Sequence, residues 1–263
     1  MNSIYRAIDV SKQGFHQWMD HYMRIMEEEQ QLLPIIYQIR KDHPKMSAKT
    51  MYNLVKPRSM GRDKFMDFCF ENGLKVEISR AYHKTTNSLG VTRFENLIIG
   101  RELTKINQVW VSDITYYRIM NQFYYLTFVM DLYSRLIVGY SASTNMLTEH
   151  TTIPALEMSL KSRNPASGLI FHSDGGGQYY SKKFIAITGK HEISNSMCES
   201  VYENAHAERV NGTIKNDYLY SYNPQTLEDL KRMLKRAVGM YNEVKPHQAL
   251  SGQAPRAFEK SIN

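Results

Sequence analysis

Cysteine is scarce in this chain, and long apolar runs are missing. The 263 residues include two cysteines, Cys69 and Cys198, and neither has a second cysteine or a histidine at zinc-ligand spacing. This scarcity excludes a zinc finger, argues against a disulfide framework and is typical of a reducing cytoplasm. No apolar run reaches membrane-spanning length, and the first residues show no signal-peptide pattern. The sequence therefore predicts a cytoplasmic protein that does not use a membrane.

Positive charge is present in excess, and it is concentrated in one region. Lys and Arg total 33 against 26 Asp and Glu, which gives a net charge of +7. Residues 40–93 hold twelve basic and five acidic side chains, whereas residues 107–263 hold sixteen and fourteen. A basic region beside a nearly neutral one indicates a polyanion-binding module attached to another domain. A solvated, lysine-rich surface would give the same count.

The first hundred residues have a helical pattern. Residues 1–42 predict a helical segment in which Ser11 caps a short helix that ends near Tyr22. This segment is either half of a DNA-reading helix-turn-helix or a plain helical hairpin. Residues 43–93 predict a small basic helical domain that binds DNA, and residues 94–106 predict a linker.

From residue 107 the pattern changes to short strands rich in Val, Ile, Tyr and Phe. Three strands follow one another closely, and helices then alternate with two further strands. This order predicts an α/β domain over residues 107–263 with a five-stranded mixed sheet and flanking helices, which is the ribonuclease H-like arrangement. The predicted strands are Val109–Tyr116, Phe123–Met130, Leu136–Ser141, Gly168–His172 and Ile193–Ser196.

Three acidic residues stand out by their order and context. Asp113 and Asp174 belong to apolar, strand-like runs, and Glu208 lies in a helix-like run. Carboxylates that converge from different elements can hold two Mg²⁺ ions, because magnesium prefers oxygen ligands and completes its shell with phosphate oxygens. A single Asp at a strand end is usually a capping or loop residue. Three in this order favour a catalytic site that cuts and joins phosphodiesters.

Residues near these acids are candidates for admitting or holding a DNA substrate. The glycines at 175–177 allow the chain to turn sharply beside Asp174, although an ordinary flexible turn has the same composition. On the predicted helix Asn204–Tyr218, Lys215 follows Glu208 by seven residues, so the two share a face. A lysine there could hold a DNA phosphate, and the alternative is a plain surface lysine.

Several blocks of the sequence together resemble the DDE transposases, specifically the OrfB half of IS-three family insertion sequences, which are related to retroviral integrases. The resemblance covers residues 107–260 well, and the start Val10–Trp18 is similar to that family's N-terminal helix-turn-helix remnant. The blocks that carry the resemblance are Trp110–Thr115, Asp131–Gly139, His172–Asp174, Asn204–Glu208 and Tyr241–His247.

The resemblance implies a transposase that cleaves the ends of its own element and joins the freed 3′-OH to another phosphodiester. Asp113, Asp174 and Glu208 would be both catalytic residues and ligands of two Mg²⁺ ions, for which Mn²⁺ could substitute. The implied partners are element-end and target DNA, an OrfA-type segment and further copies of the chain, in a nucleoid-associated bacterial protein. The expected DNA-binding residues are Lys215, Asn204, Arg209, Lys49, Lys56, Arg58, Arg62 and Lys64.

The sequence departs from the family pattern in the segment before Glu208. Thirty-three residues separate Asp174 from Glu208, where the family usually has thirty-five, and Glu203 stands where an Asp is common. We expect the shortening to be absorbed in the preceding loop, so that Glu208 remains the third acid. The alternatives to a transposase are a cleavage-only nuclease and a catalytically inactive DNA-binding protein of the same fold.

Overall fold

The computed structural model describes residues 10–76, 93–198 and 204–262. The chain divides into two compact units, residues 1–79 and 80–263. The finer domain limits given by the sequence, at residues 42, 93 and 106, remain predictions. Within the described ranges, no helix is both long and apolar enough to cross a membrane.

The first unit is built from three helices. They are α1 Lys12–Asp42, α2 Ala48–Val55 and α3 Arg62–Glu71. The Ser11 side chain caps α1 by accepting from the Gly14 N–H, as expected, but the predicted end near Tyr22 is wrong. The helix continues through Pro34, because the packing of its second half outweighs the hydrogen bond that proline cannot donate.

A small apolar core joins the three helices of this unit. Ile36 of α1 packs with Met51 of α2 and with Phe65 and Cys69 of α3, and all four side chains are fully buried. Arg40 belongs to the basic surplus, yet its guanidinium donates to the carbonyls of Pro44, Met46 and Leu74. Part of the positive charge of this region therefore stabilises the fold.

The second unit alternates strands and helices as the sequence predicts. Its strands are β1 Val109–Ile119, β2 Gln122–Asp131, β3 Ile137–Ser143, β4 Ile170–Ser173 and β5 Ser194–Met197. Its helices are α4 Thr152–Arg163, α5 Lys182–Lys190, α6 Ala205–Thr213, α7 Tyr220–Tyr222, α8 Leu227–Glu243 and α9 Pro255–Ile262.

The five strands form one mixed sheet in the order β3-β2-β1-β4-β5. β1 pairs antiparallel with β2 and parallel with β4, so it lies at the centre of the sheet. Side chains alternate between the two faces: Val109 and Val111 pack towards α6 and α8, whereas Trp110 packs towards α4 and α5. The two faces thus bury two separate cores, which confirms the ribonuclease H-like fold predicted from the sequence.

Two local features shape the second unit: a glycine in β3 and a π-helical turn after α6. Gly139 of β3 lets α4 lie against the sheet, since a Cβ there would overlap the Ala155 carbonyl oxygen and the Ser159 hydroxyl. The helix predicted over Asn204–Tyr218 is α-helical only to Thr213 and continues as a π-helical turn over Ile214–Leu219. Such turns insert a residue into an α-helix and often occur at functional sites.

Candidate active site

The sheet brings Asp113 and Asp174 to neighbouring strands. β1 and β4 run parallel with Val111 opposite His172, and the same register two residues further places Asp113 opposite Asp174. Asp174 comes directly after the last residue of β4. The backbone then turns sharply at Gly175, whose φ of +80° suits glycine, and Asp174 Oδ1 accepts from the Gly176 N–H.

The two carboxyl groups influence each other's ionisation. Burial, followed by the negative charge of Asp174, raises the pKa of Asp113 to about 8, and the Glu208 charge adds to this rise. Burial also raises the pKa of Asp174, although the N–H groups around it and a hydrogen bond with Asp113 oppose the rise. Asp113 is half-buried and Asp174 is exposed. A divalent ion bound by both carboxylates would relieve the repulsion between them.

Glu208 lies on α6, in the first turn of the helix, and is exposed. Its charge reaches Asp113, but across the described ranges no three Asp, Glu, His or Cys side chains are grouped closely enough to hold a metal ion. The donors at Asp113 and Asp174 are all oxygens, which fits magnesium. A third carboxylate from α6 would have to close on this pair when a metal binds.

Two asparagines fasten α6 to β1 on either side of Glu208. Asn204 Nδ2 donates to the Ser112 carbonyl at 3.0 Å, and Asn211 Nδ2 donates to Asp113 Oδ2 at 2.6 Å. Both asparagines are buried. The sequence predicts DNA binding for Asn204, and Asn211 is not among its candidate residues. The spacing of seven residues between the two, one on each side of Glu208, was the available signal.

Lys215 lies beside β1 and is half-buried. Its Nζ donates to Thr115 Oγ1 at 2.7 Å and sits 5.5 Å from the centre of the Tyr116 ring. Burial lowers the pKa of Lys215, and the negative charge of Asp113 opposes that change. The lysine is therefore near the carboxylates, and its amine is held by contacts to β1.

The other predicted DNA-binding residues fall in two places. The five side chains chosen in the basic region are all exposed on the first unit: Lys49, Lys56, Arg58, Arg62 and Lys64. Two of them have acidic neighbours, since Arg62 pairs with Asp63 and Lys64 lies 3.5 Å from Glu29. Arg209 is exposed on α6, close to His206.

Comparison with known proteins adds independent findings. The chain matches one integrase core domain model over residues 104–201 and a second over residues 190–255. It is 29% identical over 272 residues to an uncharacterized 31 kDa protein of insertion element IS600 from Shigella sonnei, with 98% of each chain covered. It is 30% identical over 192 residues to the transposase InsF for insertion sequence IS3A from Escherichia coli (strain K12), covering 71% of this chain and 66% of that protein.

Among solved structures, the fold is similar to a chain of the simian T-cell lymphotropic virus intasome in complex with the PP2A regulatory subunit B56 gamma. The TM-score is 0.54 at 18% sequence identity, and the match covers 76% of this chain and 67% of that one. At this identity the likeness concerns the fold, and it agrees with the ribonuclease H-like sheet.

Proposed function

Because this chain belongs to the integrase core domain family and is a DDE transposase of the IS-three type, we propose that Asp113, Asp174 and Glu208 carry its chemistry. Its function is the transposition of an insertion sequence. The observation that supports the residue assignment most directly is the juxtaposition of Asp113 and Asp174 across β1 and β4. A catalytically inactive regulator would not need to keep two repelling carboxylates side by side.

Asp113 and Asp174 would hold Mg²⁺, with Glu208 as the third ligand and Mn²⁺ as a substitute. When bound, two such ions supply activation of the attacking oxygen and stabilisation of the leaving oxygen. Asn211 keeps the Asp113 carboxylate in one orientation through its bond to Oδ2. The positive φ of Gly175 lets the chain leave β4 immediately after Asp174.

The proposed reaction has two balanced steps. In the first, water attacks the phosphodiester at the element's end and breaks the P–O3′ bond, which leaves a 3′-OH and a 5′-phosphate. In the second, that 3′-OH attacks another phosphodiester and a new 3′-OH leaves. Neither step needs a covalent bond between DNA and protein.

The positive charge of the first unit and the transposase family both suggest what else this protein binds. The exposed basic side chains of the first unit would bind DNA without sequence preference, since Lys and Arg displace the counterions that surround phosphates. We further propose an OrfA-type partner segment, assembly of several copies on element-end and target DNA, and action in the bacterial cytoplasm at the nucleoid.

A joining assay tests the proposed function. A labelled duplex that carries the element's end with a free 3′-OH should become covalently joined to a second DNA in the presence of Mg²⁺. Blocking the 3′-OH with a dideoxynucleotide should abolish joining, because the nucleophile is then missing. Cleavage without any joined product from the free 3′-OH substrate would favour the cleavage-only nuclease.

Replacing Lys215 with Ala should lower end cleavage about ten- to a hundredfold. A hydrogen bond to a charged group contributes ~1.5–3 kcal/mol, and about 1.4 kcal/mol corresponds to a factor of ten. The lysine would exchange its bond to Thr115 for a DNA phosphate, so Lys215→Arg should recover part of the loss. Lys235→Ala, an exposed lysine of α8, is the matched control. Wild-type cleavage by Lys215→Ala would make Lys215 a structural lysine.

A further inference from the structure

Two blocks of the sequence supply none of the three acids yet meet at one place in the second unit. Asp131–Gly139 contributes Arg135 from the β2–β3 turn, and Tyr241–His247 contributes the end of α8 and the segment after it. α6, the helix of Glu208, adds a third wall. Together they enclose a cavity of about 320 Å³ whose polar lining includes Arg135, His206, Arg209, Tyr241, Lys245 and His247. We call it the basic cavity.

The β2–β3 turn holds Arg135 in an unfavourable backbone conformation. Its φ is +62°, a region that glycine and asparagine occupy more readily than arginine. The turn is fixed by Asp131, which is fully buried and accepts from the N–H groups of Tyr133 and Ser134 and from that of Asn107. The contacts of Asp131 therefore fix the backbone from which the Arg135 side chain starts.

The guanidinium of Arg135 is aimed into the basic cavity. It contacts the Nδ1 atom of His206 at 2.8 Å, and Arg209, one turn further along α6, lines the same cavity. Two arginines therefore converge here. Across the described ranges, neither forms a salt bridge.

The remaining charges leave the cavity positive. Lys245 pairs with Asp217 at 2.8 Å, and the buried Asp131 carboxylate lies behind Arg135, where its charge partly offsets that of the guanidinium. Burial, followed by the positive charges of Lys245 and Arg135, lowers the pKa of His247 to about 4. Burial is the larger cause and the two positive charges add to it, so the charged groups around His247 disfavour a further cation and are compatible with an anion.

We propose that the basic cavity binds a phosphate group of the DNA backbone, held by Arg135 and Arg209 at a distance from the scissile phosphate. Paired guanidinium groups suit phosphate because their planar donors match its oxygens. Since His206 and Arg209 lie on the same helix as Glu208, this contact would also hold α6 against the DNA while Glu208 acts. That the phosphate belongs to DNA rests on the proposed function. That the cavity binds a phosphate rests on its two arginines alone.

The test compares two variants that leave the fold intact. Arg135→Asn removes the guanidinium and places a residue suited to positive φ in the turn, so its melting temperature should equal or exceed that of the wild type. Arg209→Gln removes an exposed charge, and Arg232→Gln, an exposed arginine of α8, is the matched control. Affinity for an element-end duplex is measured in chelator at several salt concentrations, so that no chemistry takes place.

Each cavity variant should lose about one unit of salt slope and about tenfold in affinity at 0.1 M salt, as expected for one lost phosphate contact. The control should keep the wild-type slope. A second arm measures the rise in melting temperature produced by inorganic phosphate, which should be smaller in both cavity variants. A loss of DNA affinity and salt slope in the cavity variants supports the proposal, whether or not their response to inorganic phosphate also falls.

Three results would overturn it. A change confined to the phosphate arm assigns the cavity to a free anion and removes DNA as its ligand. Wild-type behaviour of both variants in both arms removes the site altogether. An equal loss in Arg232→Gln means that the effect is one of net charge only. Because these measurements involve no cleavage, they stand apart from a failure of the proposed function, which the joining assay tests.

Discussion

Replacing Asp113 with Asn is expected to reduce both end cleavage and strand transfer by about a thousandfold or more. Metal-ion stabilisation of the reacting phosphate contributes several kcal/mol, and about 1.4 kcal/mol corresponds to a factor of ten. The substitution removes a charge that would bind the metal and changes the side-chain volume little. The remaining amide oxygen can still accept the hydrogen bond from Asn211. Gel assays of cleavage and joining, with binding measured in parallel, check the result. DNA affinity should remain close to that of the wild type.

The same loss is expected for Asp174→Asn and Glu208→Gln. Two matched controls accompany them: Glu157→Gln, an exposed acid of α4, and Glu203→Gln, the acid directly before the Asn204–Glu208 block. Glu203 lies outside the described residues. Both controls should remain active to within a fewfold of wild type. An inactive Glu203→Gln together with an active Glu208→Gln would show that the third acid has been assigned wrongly.

Removing divalent metal with excess chelator should abolish cleavage completely. Activity should return with Mg²⁺ or Mn²⁺, whereas Ca²⁺ should support DNA binding but little chemistry. Calcium's larger and more variable coordination shell does not impose the near-octahedral geometry that magnesium demands. The measurement is end cleavage at matched ionic strength across the three metals.

Thermal melting supplies a readout of the metal that does not depend on activity. Mg²⁺ should raise the melting temperature of the wild type, because it binds the folded state and relieves the repulsion between Asp113 and Asp174. The rise should vanish in Asp113→Asn and persist in Glu157→Gln. Full cleavage in chelator, or an equal Mg²⁺ effect in Asp113→Asn, would contradict the carboxylate metal site.

Most of the second unit's secondary structure follows from local patterns. The five strands lie within a few residues of their predicted limits, because alternating β-branched and aromatic residues separated by short turns specify strands directly. The predicted Ser11 cap is also confirmed, since capping is a contact between residues three apart. The predicted end of α1 is not, because the helix beyond Tyr22 is held by residues of α2 and α3 that lie far along the chain.

Long-range contacts explain what sequence reasoning missed around the site. Asn211 was overlooked because its meaning depends on Asp113, ninety-eight residues away. Lys215 was expected to face DNA, and the structure shows its amine bound to Thr115 and Tyr116 of β1, which no helical periodicity could reveal. In the sequence, Arg135 and His247 are parts of two separate family blocks, and their shared cavity forms only when the β2–β3 turn, α6 and α8 pack together.

The sequence by itself determined the class of fold, the family and the three candidate acids, because each is written in residue types within a short stretch of chain. Only the tertiary structure decided which of these groups meet. The parallel register of β1 and β4 sets Asp113 beside Asp174, and the packing of α6 on the sheet brings Asn211 to that carboxylate and Arg209 to Arg135. The reason is physical: pairing register and helix packing arise from contacts between distant segments, and the burial and repulsion that shift a carboxyl pKa exist only after those contacts have formed.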